Sequence, residues 1–142
     1  MNTPVKQVMA HPPVTAHPDT TVPEAVQLLK ARGIRRLPLV EDGRLVGMVT
    51  DRDLKEAMPS QATTLSIWEI TALLARMPLR QIMKTSVLTV SEDAPLQDAA
   101  YTMLNHKIGG LPVVNDAHEV VGIVTVTDVL RSLLGEHEPG HA

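Results

Sequence analysis

Leu37-Pro38-Leu39-Val40-Glu41-Asp42-Gly43-Arg44-Leu45-Val46-Gly47-Met48-Val49-Thr50-Asp51-Arg52-Asp53 is the stretch on which the fold turns. Two apolar runs flank Asp42-Gly43, a dipeptide suited to the tight turn of a two-residue hairpin. The second run ends on Thr50, and Thr50 to Asp53 has the spacing of a helix capping box. Strand, turn, strand and helix start are therefore written one after another. The same order returns downstream: Leu111-Pro112-Val113-Val114, then Val121-Gly122-Ile123-Val124-Thr125-Val126-Thr127-Asp128. There the turn is longer and free of glycine, Asn115-Asp116-Ala117-His118-Glu119.

Working outward, the match extends over most of the chain. A shift of 74 positions lays Met9 on Met83, Thr15 on Thr89, Asp19 on Asp93, Ala25 on Ala99 and Ile34 on Ile108. One inserted residue in the second turn makes the shift 75, and Val46-Gly47, Val49-Thr50 and Asp53 then fall on Val121-Gly122, Val124-Thr125 and Asp128. The chain is a duplication. Each copy opens with an extended piece, around Val14-Thr15 or Leu88-Thr89, that leads into a helix. Thr21-Val22-Pro23-Glu24 has capping-box spacing with Pro in the first turn. Val22, Ala25, Val26 and Leu29 follow on one face, and Leu96, Ala99, Ala100 and Met103 repeat that face with Asp93 as the expected cap. The hairpin comes next, then a second helix, Asp51 to about Met58 and Val126 to about Leu134. The order per copy is β-α-β-β-α, an α/β (α+β) fold of tandem repeats. The expected organisation is a first repeat over 1–58, a connecting helical linker over 59–78, a second repeat over 79–134 and a polar tail over 135–142. In the linker, Ser66 caps a helix on which Ile67, Ile70, Leu74 and Met77 share a face. Neither copy, at roughly 50 residues, buries its sheet alone, so the two are expected to pack together.

Composition narrows the function. The 142 residues are 44% hydrophobic and 20% charged, a globular balance. A formal charge of −3 and a pI near 6.0 disfavour general nucleic-acid or anionic-membrane binding. No apolar run approaches the roughly 18 residues that span a bilayer. The opening Met1-Asn2-Thr3-Pro4-Val5-Lys6 does not read as a signal peptide, so a cytoplasmic location is expected. There is no cysteine, hence no disulfide and no thiolate site. With one Trp, one Tyr and no Phe, a planar ligand must be held by aliphatic side chains and backbone.

Thr50-Asp51-Arg52-Asp53 and Thr125-Val126-Thr127-Asp128 carry two readings. In one, Thr and Asp simply cap a helix reciprocally. In the other, the Asp carboxylate accepts hydrogen bonds from both hydroxyls of a ribose, with free N–H groups of the helix start beside it for a phosphate. The copies also differ just before the hairpin: Arg35-Arg36 in the first, Gly109-Gly110 in the second. A guanidinium binds phosphate bidentately, whereas glycine offers backbone and space. Gly47 and Gly122 mark strand bulges or a close backbone approach. The six histidines read as solvated surface; His137 and His141 are separated by Pro139-Gly140, and His11 and His17 flank prolines with no acidic partner. No metal site, catalytic residue or catalytic cofactor is assigned, since the carboxylates recur singly and no nucleophile elbow or Walker loop is present.

Two β-α-β-β-α copies, with Leu-Pro-Leu/Val-Val followed by Gly-Met-Val-Thr-Asp-Arg-Asp or Gly-Ile-Val-Thr-Val-Thr-Asp, resemble a pair of CBS domains, a Bateman module, over about residues 5 to 134. The central 62–70 segment is also similar to the linker of stand-alone CBS-pair proteins of the acetoin-utilisation type. The resemblance implies a pseudo-twofold pair with two clefts, a homodimer, and binding of AMP, ADP, ATP or S-adenosylmethionine. It makes Asp53 and Asp128 ribose ligands, with Thr50 and Thr125 still capping. It places Arg36, with Arg35, beside the Asp53 cleft, which becomes the stronger site for a charged nucleotide. The base would lie between Met48 or Leu37 and the lead-in segment Thr85-Ser86-Val87 of the other copy. In the second cleft, Ile123 and Gly110 would face His11-Pro12-Pro13. The expected function is a regulatory adenine-nucleotide sensor that signals through dimer packing to an effector protein. The alternatives are a ligand-free dimeric scaffold for an enzyme or transporter and, with Arg32, Arg35, Arg36 and Arg44 as the only basic cluster, a nucleic-acid binder. With no second domain beside the two repeats, the chain is expected either to regulate another polypeptide or to buffer a ligand.

Overall fold

The computed structural model describes residues 3–57 and 66–135, apart from the side chains of residues 67, 68, 70 and 71. Met58, residues 59–65 of the linker, and His137 and His141 of the tail lie outside the described residues, as do the side chains of Ile67 and Ile70.

The chain divides into two compact units whose borders do not follow the repeats. One unit is Val14–Val87; the other takes the chain up to Pro13 together with everything from Leu88 onward. Each therefore borrows the lead-in of the other repeat.

In the Val14–Val87 unit, α1 (Val22–Arg32) begins at the expected capping box: the Thr21 N–H donates to Glu24 Oε1 at 2.9 Å and the Glu24 N–H to Thr21 Oγ1 at 3.4 Å. Gly33, left-handed at φ 62°, ends it. Strands β1 (Arg36–Glu41) and β2 (Arg44–Thr50) form the hairpin, and Asp42 and Gly43 both take positive φ, as a turn matched to strand twist requires. The register slips between Leu39 and Val40, leaving Val46 as a bulge beside Gly47. The first strand of this repeat shrinks to one parallel bridge, Ala16 to Leu39. Helix α2 (Asp51–Glu56) ends short of the expected Met58, closed by Ala57. Helix α3 (Ile67–Ala75) starts on the Ser66–Glu69 capping box, and Met77 falls beyond its end. Val22, Ala25, Leu29, Leu37, Leu39, Val49, Leu54 and Leu79 make the core. Each large aliphatic side chain so buried contributes about 1.5–3 kcal/mol.

The other unit repeats the plan: β3 (Val90–Ser91) runs parallel to β4 (Gly110–Val114), which pairs antiparallel with β5 (Val120–Thr125). The slip recurs between Val113 and Val114, beside Gly122. Helices α4 (Leu96–His106) and α5 (Val126–Leu133) cover the sheet over a core of Val5, Val8, Met9, Val90, Leu96, Ala99, Met103, Leu111, Val113, Val124 and Val129. Asp93 does not cap α4. The helix starts at Pro95 without a side-chain cap, and Asp93 is instead held by Lys6 Nζ at 2.9 Å. The five-residue turn is organised by Asn115, whose Oδ1 accepts from the Ala117 and Glu119 N–H groups, each at 3.0 Å.

Candidate functional site

Both Thr-x-x-Asp elements form the capping box that their spacing predicts. The Thr50 N–H donates to Asp53 Oδ2 at 2.9 Å and the Asp53 N–H to Thr50 Oγ1 at 3.1 Å. The Thr125 N–H donates to Asp128 Oδ2 at 2.8 Å, and the Asp128 N–H to Thr125 Oγ1 at 3.3 Å. In each box one carboxylate oxygen carries the cap, so the other is left for a further partner. The caps thus do not exhaust the carboxylates.

What surrounds the free oxygen differs between the two. Asp53 is the one charged or polar side chain among the buried described residues, 7% exposed, and its Oδ1 stands 3.3 Å from Lys84 Nζ. Lys84 arrives on the lead-in segment of the second repeat, which adds to the free edge of β2. The Met48 N–H donates to the Lys84 carbonyl at 2.9 Å and the Lys84 N–H to the Met48 carbonyl at 3.0 Å. The segment continues as Thr85 and Ser86, exposed, and Val87, half-buried. Among the described residues, no backbone N–H of residues 85–87 is taken by another backbone carbonyl, so these donors remain open. On the far strand Arg36 sits opposite Thr50 and is half-buried. Burial pulls its guanidinium down from its ordinary value, with Asp51 opposing the drop and Arg35 adding to it. Among the described residues, no carboxylate lies within 4.0 Å of Arg36. A partly desolvated guanidinium with no carboxylate in direct contact is a ready anion site. Arg35 is exposed, and its carbonyl accepts the Asp51 N–H at 2.9 Å. Leu37 is a correction: it points to the opposite face, fully buried in the core, and offers no surface to a base. Met48, paired with Pro38 and with Lys84, is the apolar residue of this ladder nearest the lead-in.

The second site uses the same scaffold with less charge. The Ala10 N–H donates to the Ile123 carbonyl at 2.8 Å and the Ile123 N–H to the Ala10 carbonyl at 3.1 Å, which brings His11, Pro12 and Pro13 alongside β5. Gly110 sits opposite Thr125, and the Gly109 carbonyl accepts the Val126 N–H at 3.1 Å. Asp128 is half-buried, and no Lys, Arg or His nitrogen among the described residues lies within 4.0 Å of it. Ala10 occupies the place that Lys84 holds in the first site.

Glycine at 47 and 122 follows from this borrowed strand. A Cβ on Gly47 would meet Met83 Sδ at 2.6 Å and the Lys84 carbonyl at 3.2 Å; on Gly122 it would meet Met9 Cγ at 2.8 Å and the Ala10 carbonyl at 2.9 Å. Close approach of the lead-in, beside the bulge, demands the missing side chain. Sequence reasoning passed over Lys84. The available signal was internal: the same 74-residue shift that aligns the copies sets Lys84 on Ala10.

Among the described residues no group of three His, Asp or Glu side chains gathers to hold a metal ion, and no helix is long and apolar enough to cross a membrane.

Comparison with known proteins gives the arrangement its context. The family model described as "CBS domain" matches residues 5–60 and again 79–135. The chain is 36% identical over 136 residues to a CBS domain-containing protein of Dictyostelium discoideum, covering 95% of this chain and 94% of that one. It is 35% identical over 133 residues to the L-aspartate semialdehyde sulfurtransferase of Methanocaldococcus jannaschii, but spans only 23% of that relative's length. Among solved structures, the CBS domain pair of MJ0100, in complex with 5′-methylthioadenosine and S-adenosyl-L-methionine, superposes with a TM-score of 0.76 at 33% identity, covering 95% of this chain and 98% of that one. An acetoin utilization protein from Vibrio cholerae gives 0.77 at 32% identity, with 95% and 93% covered. CBSX2 in complex with AMP gives 0.74 at 30% identity, with 93% and 96% covered.

Proposed function

We propose, from the premise that this chain belongs to the CBS-domain family as a tandem pair of its repeats, that it is a regulatory module binding an adenosine-containing ligand. The observation that carries the reading is Asp53: a buried carboxylate that caps α2 with one oxygen and turns the other to Lys84, at the end of the hairpin that carries the half-buried Arg36 opposite Thr50. A ribose diol fits the oxygen that the cap does not use, in place of Lys84, since charged acceptors form the stronger hydrogen bonds. A 5′-phosphate fits Arg36. Residues 85–87 and Met48 suit the adenine edge and face, a role consistent with a chain nearly devoid of aromatics. The second site, with Thr125, Asp128, Ile123, Gly110 and residues 11–13, takes the less charged ligand. Similar proteins bound to AMP, to 5′-methylthioadenosine and to S-adenosyl-L-methionine support the ligand class.

Ligand binding acts on a partner only if it favours one of two states of the module. Helices α4 and α5 expose Tyr101, Leu104, Leu130 and Leu133, which favours a contact between copies of the chain or with an effector protein. Sedimentation with and without ligand reads that contact directly.

The deciding experiment is calorimetry against AMP, ADP, ATP, S-adenosylmethionine and NADH, with Asp53→Ala alongside. Binding of one adenosyl compound, lost in a folded Asp53→Ala variant, is the expected result. A folded wild-type protein that takes up none of them turns the reading to the dimeric scaffold.

A further inference from the structure

We infer that Lys84 makes the Asp53 site selective for phosphorylated over unphosphorylated nucleosides. This rests on the nucleoside reading of that site. Lys84 Nζ stands 3.3 Å from Asp53 Oδ1, the oxygen that the cap leaves free, while 70% of the lysine side chain remains exposed and only 5% of the aspartate side chain does. The ammonium therefore occupies the acceptor that a ribose would need. A neutral nucleoside can bind only by breaking this pair, and it offers the released ammonium nothing in return. A nucleotide also breaks it, but its phosphate supplies a new counter-ion. The flexible four-carbon stem lets the ammonium move while the backbone of Lys84 stays bonded to Met48.

The second site lacks this device. Ala10 stands where Lys84 stands, Gly109-Gly110 replace Arg35-Arg36, and no cationic nitrogen among the described residues lies within 4.0 Å of Asp128. Its carboxylate is free for a diol and unbalanced by positive charge, which suits an uncharged or cationic adenosyl compound. One chain thus carries two sites of opposite charge preference.

The test uses the full chain in an Asp128→Ala background, which silences the second site, and titrates adenosine and AMP into Lys84, Lys84→Ala and Lys84→Arg forms. An ion pair with one exposed end is modest, so Lys84→Ala should tighten adenosine about fivefold and leave AMP nearly unchanged. The AMP-to-adenosine preference then falls about fivefold, and Lys84→Arg restores it. High salt should reduce the preference more steeply in the lysine form than in the alanine form, where Arg36 is the remaining cation at the phosphate. If both ligands bind and the preference is the same with and without the lysine, the selector role is overturned while the nucleoside site stands. If the lysine form binds neither ligand, the nucleoside reading falls and the selector with it.

Discussion

Replacing Gly122 with alanine tests whether the borrowed lead-in dictates glycine at the bulge. The added Cβ would meet Met9 Sδ first, and would lie 2.8 Å from Met9 Cγ and 2.9 Å from the Ala10 carbonyl oxygen, whereas ordinary contact begins at 3.4 Å. Met9 is 7% exposed and packed in the core, so neither neighbour gives way freely. Moving the Ala10 carbonyl out to 3.4 Å means a shift of about half an ångström in a strand held by bonds of 2.8 and 3.1 Å to Ile123. Such a shift carries both bonds to or past the edge of good N–H···O geometry. Overpacking of this kind costs about 1–3 kcal/mol, and the strained pair adds to it. A loss of about 2 kcal/mol corresponds to about 6 °C in Tm for a domain of this size. Gly47→Ala provides the control. Its nearest obstacle is likewise a methionine sulfur, that of Met83 at 2.6 Å, but Met83 is only half-buried and can swing aside, and the Lys84 carbonyl stands farther off at 3.2 Å. That change should cost less than about 1 kcal/mol. Thermal melts rank the two variants, and hydrogen exchange reports the Ala10 and Ile123 amides, whose protection should fall in Gly122→Ala. Equal melting temperatures, or unaltered protection at those amides, would refute the argument.

Lys107 ends α4 in the left-handed region at φ 55°, where the first repeat has Gly33 at φ 62°; Lys107→Gly should therefore gain about 0.5–1 kcal/mol in denaturant melts, and Gly33→Ala should lose about 1 kcal/mol. Thr50→Ala removes the hydroxyl that receives the Asp53 N–H and should cost about 1 kcal/mol, read as a lower denaturant midpoint at unchanged slope. Glu41 is held below the usual carboxylate range by its paired hydrogen bonds from Arg80, at 2.8 and 3.2 Å, against the opposing effect of burial. Because its folded value is depressed, its stabilisation is present above the unfolded value and lost as pH falls through the folded one. The difference in stability between wild type and Arg80→Gln should accordingly be seen at neutral pH and shrink in acid melts.

The duplicated hairpin and the four capping boxes at Thr21, Thr50, Ser66 and Thr125 were legible, because each depends on residues near one another in sequence; Gly47 and Gly122 were marked only as a bulge or a close approach, since the Lys84 and Ala10 backbones that crowd them come from the other repeat. The failures share the opposite property. Asp93 has the composition of a cap, but Lys6 lies 87 positions away and claims it through tertiary structure. Leu37 and Met48 look alike as apolar strand residues. Which face of the sheet each occupies is set by the pleat: both are buried, but only Leu37 joins the core cluster of its unit, while Met48 lies under the lead-in at Lys84. Lys84 carries no local mark, since its partner comes from the other repeat. Left-handed Lys107 was within reach, because the 74-residue shift places it on Gly33.

The crossed ownership of the lead-in segments bears on how such a chain could arise and how it can be reused. A polypeptide cut between the repeats would leave each half with a sheet missing the strand at one edge and holding a spare. Two identical halves could satisfy each other by trading those strands, so an unduplicated ancestor is most simply a reciprocally swapped homodimer that gene fusion later made permanent. The minimal portable part is therefore the pair: grafted onto another protein, a single repeat would bring half of each ligand site and an unfinished sheet in search of a mate.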